Sequence, residues 1–494
     1  AGPPPGEASD FAAIDEYVEK EMEATRLPGV ALGIVRGDEI VHLEGFGEAD
    51  PSGRPVTPKT PFIIGSTSKS FTALAIMQLV EAGEVELDAP VRRYIPWFRV
   101  ADPEASGRIT VRHLLNQTSG LSTASGTAYL YEEDSSDAAL EKEVRGLSTV
   151  ELTAPVGEVY QYSNLNYTTL GLIVQRVSGE PYERYVEEHV LDPLNMNDSF
   201  ASPLEAERRG LATGHQYWFG RPLPFGGLSY NRAATPAGFI SSSAEDMSHY
   251  MIAQLDGGRY GDEELLSQAG IAGLHRPAVE TGAAAGQSYA MGWMVQEVNG
   301  VSTVWHNGST QDFHANVILA PERGWGIVLL TNGDNLLQMQ RIDGIAAGVM
   351  SLLVGDRPPP APFELLRTVF FAVLAICLLQ LLGIARSVVL LRRWRTQPAR
   401  RPRGLLRVGL RVVGPLLSNL LWAAVCLVGL PQGSPLWTMV FYDIGLVVVA
   451  SGTVALVWGA ISRPVLALLV LRTKDGGPAE IGPPKETRAP VEAK

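Results

Sequence analysis

Three short stretches of this chain hold side chains that can move a proton or grip a carbonyl group. The first is "IIGSTSKSFTALAIMQLV", Ile63 to Val80, in which Ser66 is followed by Lys69. At i and i+3 on a helix the two side chains share one face, with Cβ atoms about 5–6 Å apart. A serine hydroxyl is a poor nucleophile until a base takes its proton. A lysine amine is such a base once burial and neighbours lower its pKa toward neutrality. Ser66 also stands at the expected helix start, where the dipole and free N–H groups favour an oxyanion. A capping serine with a solvated lysine is the competing reading; the apolar run before Ser66 and the core-like helix after Lys69 count against it.

The second stretch, "VYQYSNLNYTTLGLIVQRVSG", carries Tyr162 and Asn164 ahead of another apolar helix. A tyrosine can relay a proton, and a phenolate would be favoured beside Lys69. The Asn164 amide can fix a substrate carbonyl and bond to the lysine as well. The third, "VSTVWHNGSTQDFHANVIL", places His306, Gly308 and Ser309 between two strand-like runs. A glycine there permits close approach of backbone to a ligand, and the N–H of Ser309 would then face it. Alone, each of these two reads as well as an ordinary loop or turn. His113, His215 and His314 are scattered and read as packed or surface residues, and there is neither a Gly-x-Ser-x-Gly elbow nor a His-Glu-x-x-His pair.

The elements that must bring these stretches together follow from periodicity. Asp10 to Arg26 has helical spacing, with Phe11, Ile14, Val18 and Met22 on one side. "VALGIVRGDEIVHLEGFGEAD" reads as two strands turning at Gly37-Asp38. Mixed helix and loop run to about Gly282, including the aromatic and glycine-rich Gly214–Arg232, a candidate loop over the site. Two strand pairs and an amphipathic helix, about Gln338 to Leu353, come last. Strands early and late with helices between predict an α+β fold: an antiparallel sheet flanked by terminal helices, with an inserted helical lobe.

Charge divides the 494 residues into two objects. Residues 364–494 hold 16 Lys and Arg against 6 Asp and Glu, a balance of +10, and residues 1–363 hold 24 against 47, a balance of −23. The acidic body argues against nucleic-acid binding. The basic tail contains three apolar runs, Thr368–Leu391, Val412–Leu430 and Pro435–Ile461. A membrane span needs about 20 such residues, so three transmembrane helices are expected. The first two are joined by "RRWRTQPARRPRGLLR" and the last two by the uncharged "PQGS". Arginine-rich loops stay in the cytoplasm, which predicts residues 1–360 outside and the C-terminus inside. Arg386, within the first run, is expected to snorkel. Both cysteines, Cys377 and Cys426, fall in the runs, so the outer domain rests on its core rather than on disulfides. The expected division is a flexible leader at 1–9 after removal of an export signal, a catalytic domain at 10–355, a proline-rich linker at 356–364, membrane helices within 365–472 and a cytoplasmic tail at 473–494.

In the order Ser-x-x-Lys, Tyr-x-Asn, His-x-Gly the chain resembles the penicillin-recognising serine hydrolases: class C β-lactamases, low-molecular-weight penicillin-binding proteins, D-aminopeptidases and related esterases. "TVRHLLNQTSGL" (Thr110–Leu121) is similar to a recurrent segment of that family, with Asn116 where the family often has His. "YSNLNYTTLGLIVQRVSGEPY", "TPAGFISSSAEDMSHYM" and "YAMGWMV" fit as well, so the resemblance spans roughly residues 10–350. It implies a β-lactamase-like fold and an acyl-enzyme on Ser66, with Lys69 and Tyr162 sharing the base and acid roles. The N–H groups of Ser66 and Ser309 would form the oxyanion hole, and Asn164 would orient the substrate amide. Many relatives carry Lys-Thr-Gly in the third motif. His306 departs from that and weakens the case for a carboxylate-bearing substrate, leaving amides and esters, including those of D-amino acids. The glutamate base of class A β-lactamases has no counterpart, so Tyr162 is expected to serve as base in deacylation. No cofactor or metal is implied; the expected partners are a small-molecule or peptide substrate and the bilayer. Three alternatives remain. One is a membrane peptidase that removes an N-acyl-D-asparagine cap from a prodrug, a branch that shares the plan of outer domain and three helices. The second is a β-lactamase, DD-carboxypeptidase or esterase. The third is a catalytically silent receptor or scaffold, against which the three intact motifs argue.

Overall fold

In the computed structural model the described residues are 11–225, 230–298, 300–335, 338–359, 365–400, 405–408, 411, 413–427 and 442–472. The chain divides into two units, residues 1–368 with 434–442, and residues 369–433 with 443–494. The leader at 1–9 and the tail at 473–494 lie outside the described residues.

The first unit is built on a strand that is apolar on both faces. Gly29–Arg36, "GVALGIVR", is buried almost throughout and therefore needs cover on both sides. It pairs with Glu39–Gly47 across the Gly37 turn (φ +61°) and with Trp325–Thr331 on its other edge, Val30 facing Thr331 and Arg36 facing Trp325. The sheet has eight antiparallel strands in the order Glu39–Gly47, Gly29–Arg36, Trp325–Thr331, His314–Ala320, Val301–Ser309, Met294–Val298, Ser288–Tyr289, Val279–Glu280. Strand alternation sends Leu32, Ile34, Ile327 and Leu329 to one face. There they meet Ile14, Val18 and Met22 of the Phe11–Thr25 helix and Ile342, Ile345 and Val349 of the Met339–Leu353 helix. Ala31, Val35, Val328 and Leu330 point the other way, into a larger core with the Ser68–Glu81, Asn164–Ser178 and Ala244–Leu255 helices. The expected α+β architecture with terminal helices and an inserted helical lobe is present.

Gly214–Arg232 opens as a hairpin, His215–Trp218 with Arg221–Pro224, and His215–Gln216 pairs in parallel with Gly333–Asp334. The Tyr217 hydroxyl donates to the carbonyls of Thr25 and Arg26 at 3.1 Å. These contacts pin the first half of the segment to the fold rather than leaving it as a free loop.

The second unit contains the helices Phe371–Thr396 and Val447–Arg472, with mean hydropathies of 2.3 and 2.1; both are long and apolar enough to cross a membrane, by length and composition. Two of the three expected spans thus have a helix of sufficient length among the described residues. The middle run is helical over Gly414–Leu427, 14 residues, short of a span, and 428–441 lie outside the described residues. The last run is displaced too: its helix continues past Ile461 through a π-helical stretch, Ala455–Ser462, to Arg472. Polar side chains inside these helices find partners on neighbouring helices. Gln380 Nε2 donates to the Ser451 carbonyl at 3.0 Å and Trp422 Nε1 to the Ser451 hydroxyl at 2.9 Å.

Candidate active site

Ser66 lies in a single 3₁₀ turn, Gly65–Thr67, that feeds directly into the Ser68–Glu81 helix. Its hydroxyl is half-buried while Lys69, one turn on, is fully buried. The Lys69 amine meets three oxygens: Ser66 Oγ at 3.0 Å, Asn164 Oδ1 at 2.8 Å and the Ala237 carbonyl at 2.6 Å. None of these carries a charge. Burying an ammonium costs several kcal/mol, and no anion among these partners offsets it, so burial holds the Lys69 pKa well below its usual 10.5. The neutral amine that burial favours has two N–H groups and one lone pair. The Ala237 carbonyl can only accept, and so can Asn164 Oδ1, because Asn164 Nδ2 is committed to the Gly126 carbonyl at 2.9 Å. Two acceptors take the two N–H groups, and the lone pair is left for the Ser66 O–H. The sequence pattern thereby sets an amine lone pair against a serine hydroxyl.

Tyr162 lies beside Ser66, and its ring lies over the Lys69 amine, 4.7 Å from nitrogen to ring centre. Burial first, then the Tyr289 hydroxyl, pushes the Tyr162 pKa well above 10. The expectation of a phenolate beside Lys69 is corrected here. The same desolvation that lowers the lysine pKa favours the protonated phenol.

Gly308 is part of the Val301–Ser309 strand rather than a turn, and that strand runs past the Ser66 turn. A Cβ on Gly308 would sit 1.9 Å from the Ile64 carbonyl oxygen and 2.9 Å from Ser66 N. One on Gly65, itself at φ +51°, would sit 2.6 Å from Ser309 N. Two glycines in contact thus bring the Ser66 and Ser309 amides to one place, the arrangement an oxyanion requires. His306 is buried on the same strand, its ring centre 6.4 Å from that of Tyr162. Burial above all lowers its pKa to about 3, so it is neutral. Its Nδ1 is 2.5 Å from the Asn307 carbonyl and must donate there, which leaves Nε2 a bare acceptor, buried and without a partner.

The structure therefore gathers all seven expected residues, Ser66, Lys69, Tyr162, Asn164, His306, Gly308 and Ser309, around the Ser66 turn. It also adds residues that sequence reasoning missed. Gln117, at φ +59°, accepts from Ser163 N at 2.9 Å and from Asn166 Nδ2 at 2.5 Å, and its carbonyl accepts from Gln161 N at 2.8 Å. It holds the Tyr162–Asn164 segment from below. The quoted "TVRHLLNQTSGL" pointed to this segment, though not to Gln117. Behind Ser309, fully buried His314 meets Asp343 at 2.8 Å and Asp334 at 3.5 Å. Asp334 accepts from the Ser309 hydroxyl, and Asp343 accepts from Asn307 Nδ2 at 3.1 Å. Burial alone would lower the His314 pKa, but the two carboxylates raise it to about 10. Nothing in the sequence joins residues 314, 334 and 343. Among the described residues one group has converging metal-type ligands, Glu180, Glu188 and His189, and it includes none of the cleft residues.

The profile of the family described as Beta-lactamase matches residues 14–348. The chain belongs to this family. It is 29% identical over 328 residues to Protein flp of Staphylococcus aureus (strain MW2), a match covering 65% of this chain and 62% of that protein. The chain thus spans less than two thirds of that relative's length. It is also 29% identical over 331 residues to Penicillin-binding protein 4 of Amycolatopsis lactamdurans, covering 66% of this chain and 86% of the relative. Among solved structures the octameric penicillin-binding protein homologue from Pyrococcus abyssi superposes with a TM-score of 0.63 at 28% identity, covering 72% of this chain and 80% of that one.

Proposed function

We propose that this protein is a membrane-anchored serine hydrolase that cleaves amide or ester bonds through an acyl-enzyme on Ser66. The observation that carries the proposal is the buried Lys69 amine, 3.0 Å from the Ser66 hydroxyl and with two uncharged acceptors, Asn164 Oδ1 and the Ala237 carbonyl, for its N–H groups. As Ser66 Oγ bonds to the substrate carbonyl carbon, its proton passes to Lys69, and the carbonyl electron pair settles on oxygen between the Ser66 and Ser309 amides. The C–N or C–O bond then breaks, and the leaving group takes a proton through Tyr162, which regains one from Lys69. In the second half a water oxygen bonds to the acyl carbon as its proton passes to Lys69, the C–Oγ bond breaks, and the proton returns to Ser66 Oγ. Tyr162 remains the donor throughout.

His306 guides the substrate class. A neutral imidazole with a bare, buried Nε2 offers a lone pair where a lysine would offer charge. It suits an N–H or O–H donor and repels a carboxylate. Amides, including those of D-amino acids, and esters therefore fit better than substrates with a free carboxylate. Removal of an N-acyl-D-asparagine cap is one specific form of this chemistry. The anchor reading keeps three helices, the hydrolase unit outside and the C-terminus in the cytoplasm, on the strength of the arginine-rich loop and the two apolar helices.

A fluorescent fluorophosphonate should label the wild type and spare Ser66→Ala, and intact-mass measurement after incubation with a panel of D-amino-acid amides and p-nitrophenyl esters should show an acyl adduct. A wild type that takes no probe and turns over no substrate would sink the enzyme reading in favour of a silent receptor.

A further inference from the structure

The second unit carries an open cavity of about 840 Å³ whose lining is out of keeping with a plain anchor. Five arginines, Arg386, Arg393, Arg400, Arg411 and Arg463, contribute to its wall, and among the described residues no carboxylate does. Two of the five lie inside the apolar helices rather than in the loop. Arg386 and Arg463 each sit about ten residues before the end of their spans, Thr396 and Arg472, or roughly 15 Å of helix. The two helices run parallel: Gln380 bonds the Ser451 carbonyl near one end, and Trp394 packs with Ala467 near the other. The two arginines therefore line the same cavity from facing helices, Arg463 beside Leu390 and Trp394 and about a turn nearer the arginine-rich end than Arg386.

Like charges at such depth are costly unless something opposite joins them. Among the described residues no ion pair includes any of the five. Arg463 Nη2 donates to the Arg411 carbonyl at 2.9 Å, but its Nη1 is shut off from solvent with no acceptor. The indole N–H of Trp458, which also lines the cavity, is buried and equally unmet. Trp458 belongs to the π-helical stretch Ala455–Ser462, a wide turn of a kind often found at functional sites. By contrast the neighbouring neutral amides are satisfied, Gln380 on Ser451 and Asn419 on the Pro415 carbonyl at 2.6 Å. The donors left over are cationic or indole N–H, and the missing partner is an anionic acceptor.

We propose that this cavity is a binding site for the phosphate of an anionic phospholipid, held by Arg386 and Arg463 with Trp458 donating to a phosphate oxygen. The chemistry is that of any phosphate. Apolar helix surface around the cavity and its depth within the spans favour a phosphate that arrives on acyl chains. The proposal rests on the membrane-anchored reading and is independent of the catalytic one.

The test uses the full chain purified in detergent. Native mass spectrometry with phosphatidylglycerol and phosphatidylcholine of matched acyl chains should show retention of the anionic lipid by about tenfold or more. Arg386→Gln/Arg463→Gln should lose that preference, and Arg386→Lys/Arg463→Lys should keep most of it, with circular dichroism and gel filtration confirming that both variants fold. Equal retention of the two lipids, or an unchanged preference in the glutamine variant, would overturn the site. Displacement of the lipid by millimolar inorganic phosphate would overturn the lipid assignment in favour of a soluble anion. Release of the chain from membranes by an alkaline wash would overturn the anchoring and this site together, leaving the Ser66 chemistry untouched.

Discussion

Lys69 and Arg463 are both basic residues withdrawn from water, and their surroundings treat them in opposite ways. Around Lys69 every atom is accounted for, two acceptors for two N–H groups and a hydroxyl for the lone pair. Around Arg463 one N–H group has nothing to bond, and the nearby arginines make the deficit worse. A lysine can resolve burial by giving up its proton; an arginine cannot, since its pKa lies above about 12. A satisfied set of polar groups is tuned for one proton transfer, whereas an unsatisfied one is open to a ligand. The difference lies in the ionisability of the side chain as much as in the fold.

The sharpest way to break this contrast is to remove the ionisable base. Lys69→Met should lower kcat by about 10³- to 10⁴-fold with Ser66 intact. Lys69→Arg should not rescue it, because a guanidinium has no lone pair to give; recovery in labelling assays would show that the amine is not the base. A second perturbation moves the base instead of deleting it. The acylation rate should rise with pH through the Lys69 pKa, since the neutral amine is the active form and burial sets that pKa well below 10.5. Asn164→Asp puts a carboxylate in contact with the amine, favours the ammonium, and should shift the acid limb upward by about one to three pH units; a limb that stays in place would deny the contact. A gentler change acts on the oxyanion site. Gly308→Ala drives a methyl group into the Ile64 carbonyl and should cost about 10²- to 10³-fold in kcat, read by turnover of a p-nitrophenyl ester.

The smallest effect on activity is expected behind the strand, where stability is the better measure. His314 has its pKa raised from 6.5 to about 10 in the fold by Asp334 and Asp343. Its stabilisation is therefore fully present below about pH 6.5 and is lost as pH rises through about 10. Urea melts of the wild type should weaken over that window. His314→Gln should be less stable by about 3–5 kcal/mol at pH 6 and should lose this part of the pH dependence. A variant as stable as the wild type would remove the network from the account of how Ser309 is held.

Local pattern was enough for much of this. The apolar spacing of Ile14, Val18 and Met22 marked the first helix, and Gly37-Asp38 marked the first hairpin, because each signal lies within a few residues of chain. All three catalytic stretches were legible for the same reason, each being a compact group of chemically capable residues beside an apolar run. The protonation state of Tyr162 was not. Proximity to Lys69 argued for a phenolate, and only the depth of both groups reverses that. Gln117, Ala237 and the His314 pair of carboxylates were also out of reach, since each acts on a residue tens to hundreds of positions away. The membrane helices were legible as apolar runs but not in their limits: hydropathy cannot tell where the last helix stops once Arg463 interrupts it.

What the amino-acid order determined by itself is the inventory and its local setting: a serine one turn before a lysine at a helix start, a phenol and an amide ahead of a second helix, glycines where backbone must pass close, arginines gathered in the basic tail. Tertiary structure alone decided the charges on that inventory. Proton affinity depends on how much water is excluded and which oxygens are within reach, and both are set by segments distant in the chain: the Ala237 carbonyl and Asn164 for the lysine, parallel helices with no carboxylate between them for the arginines.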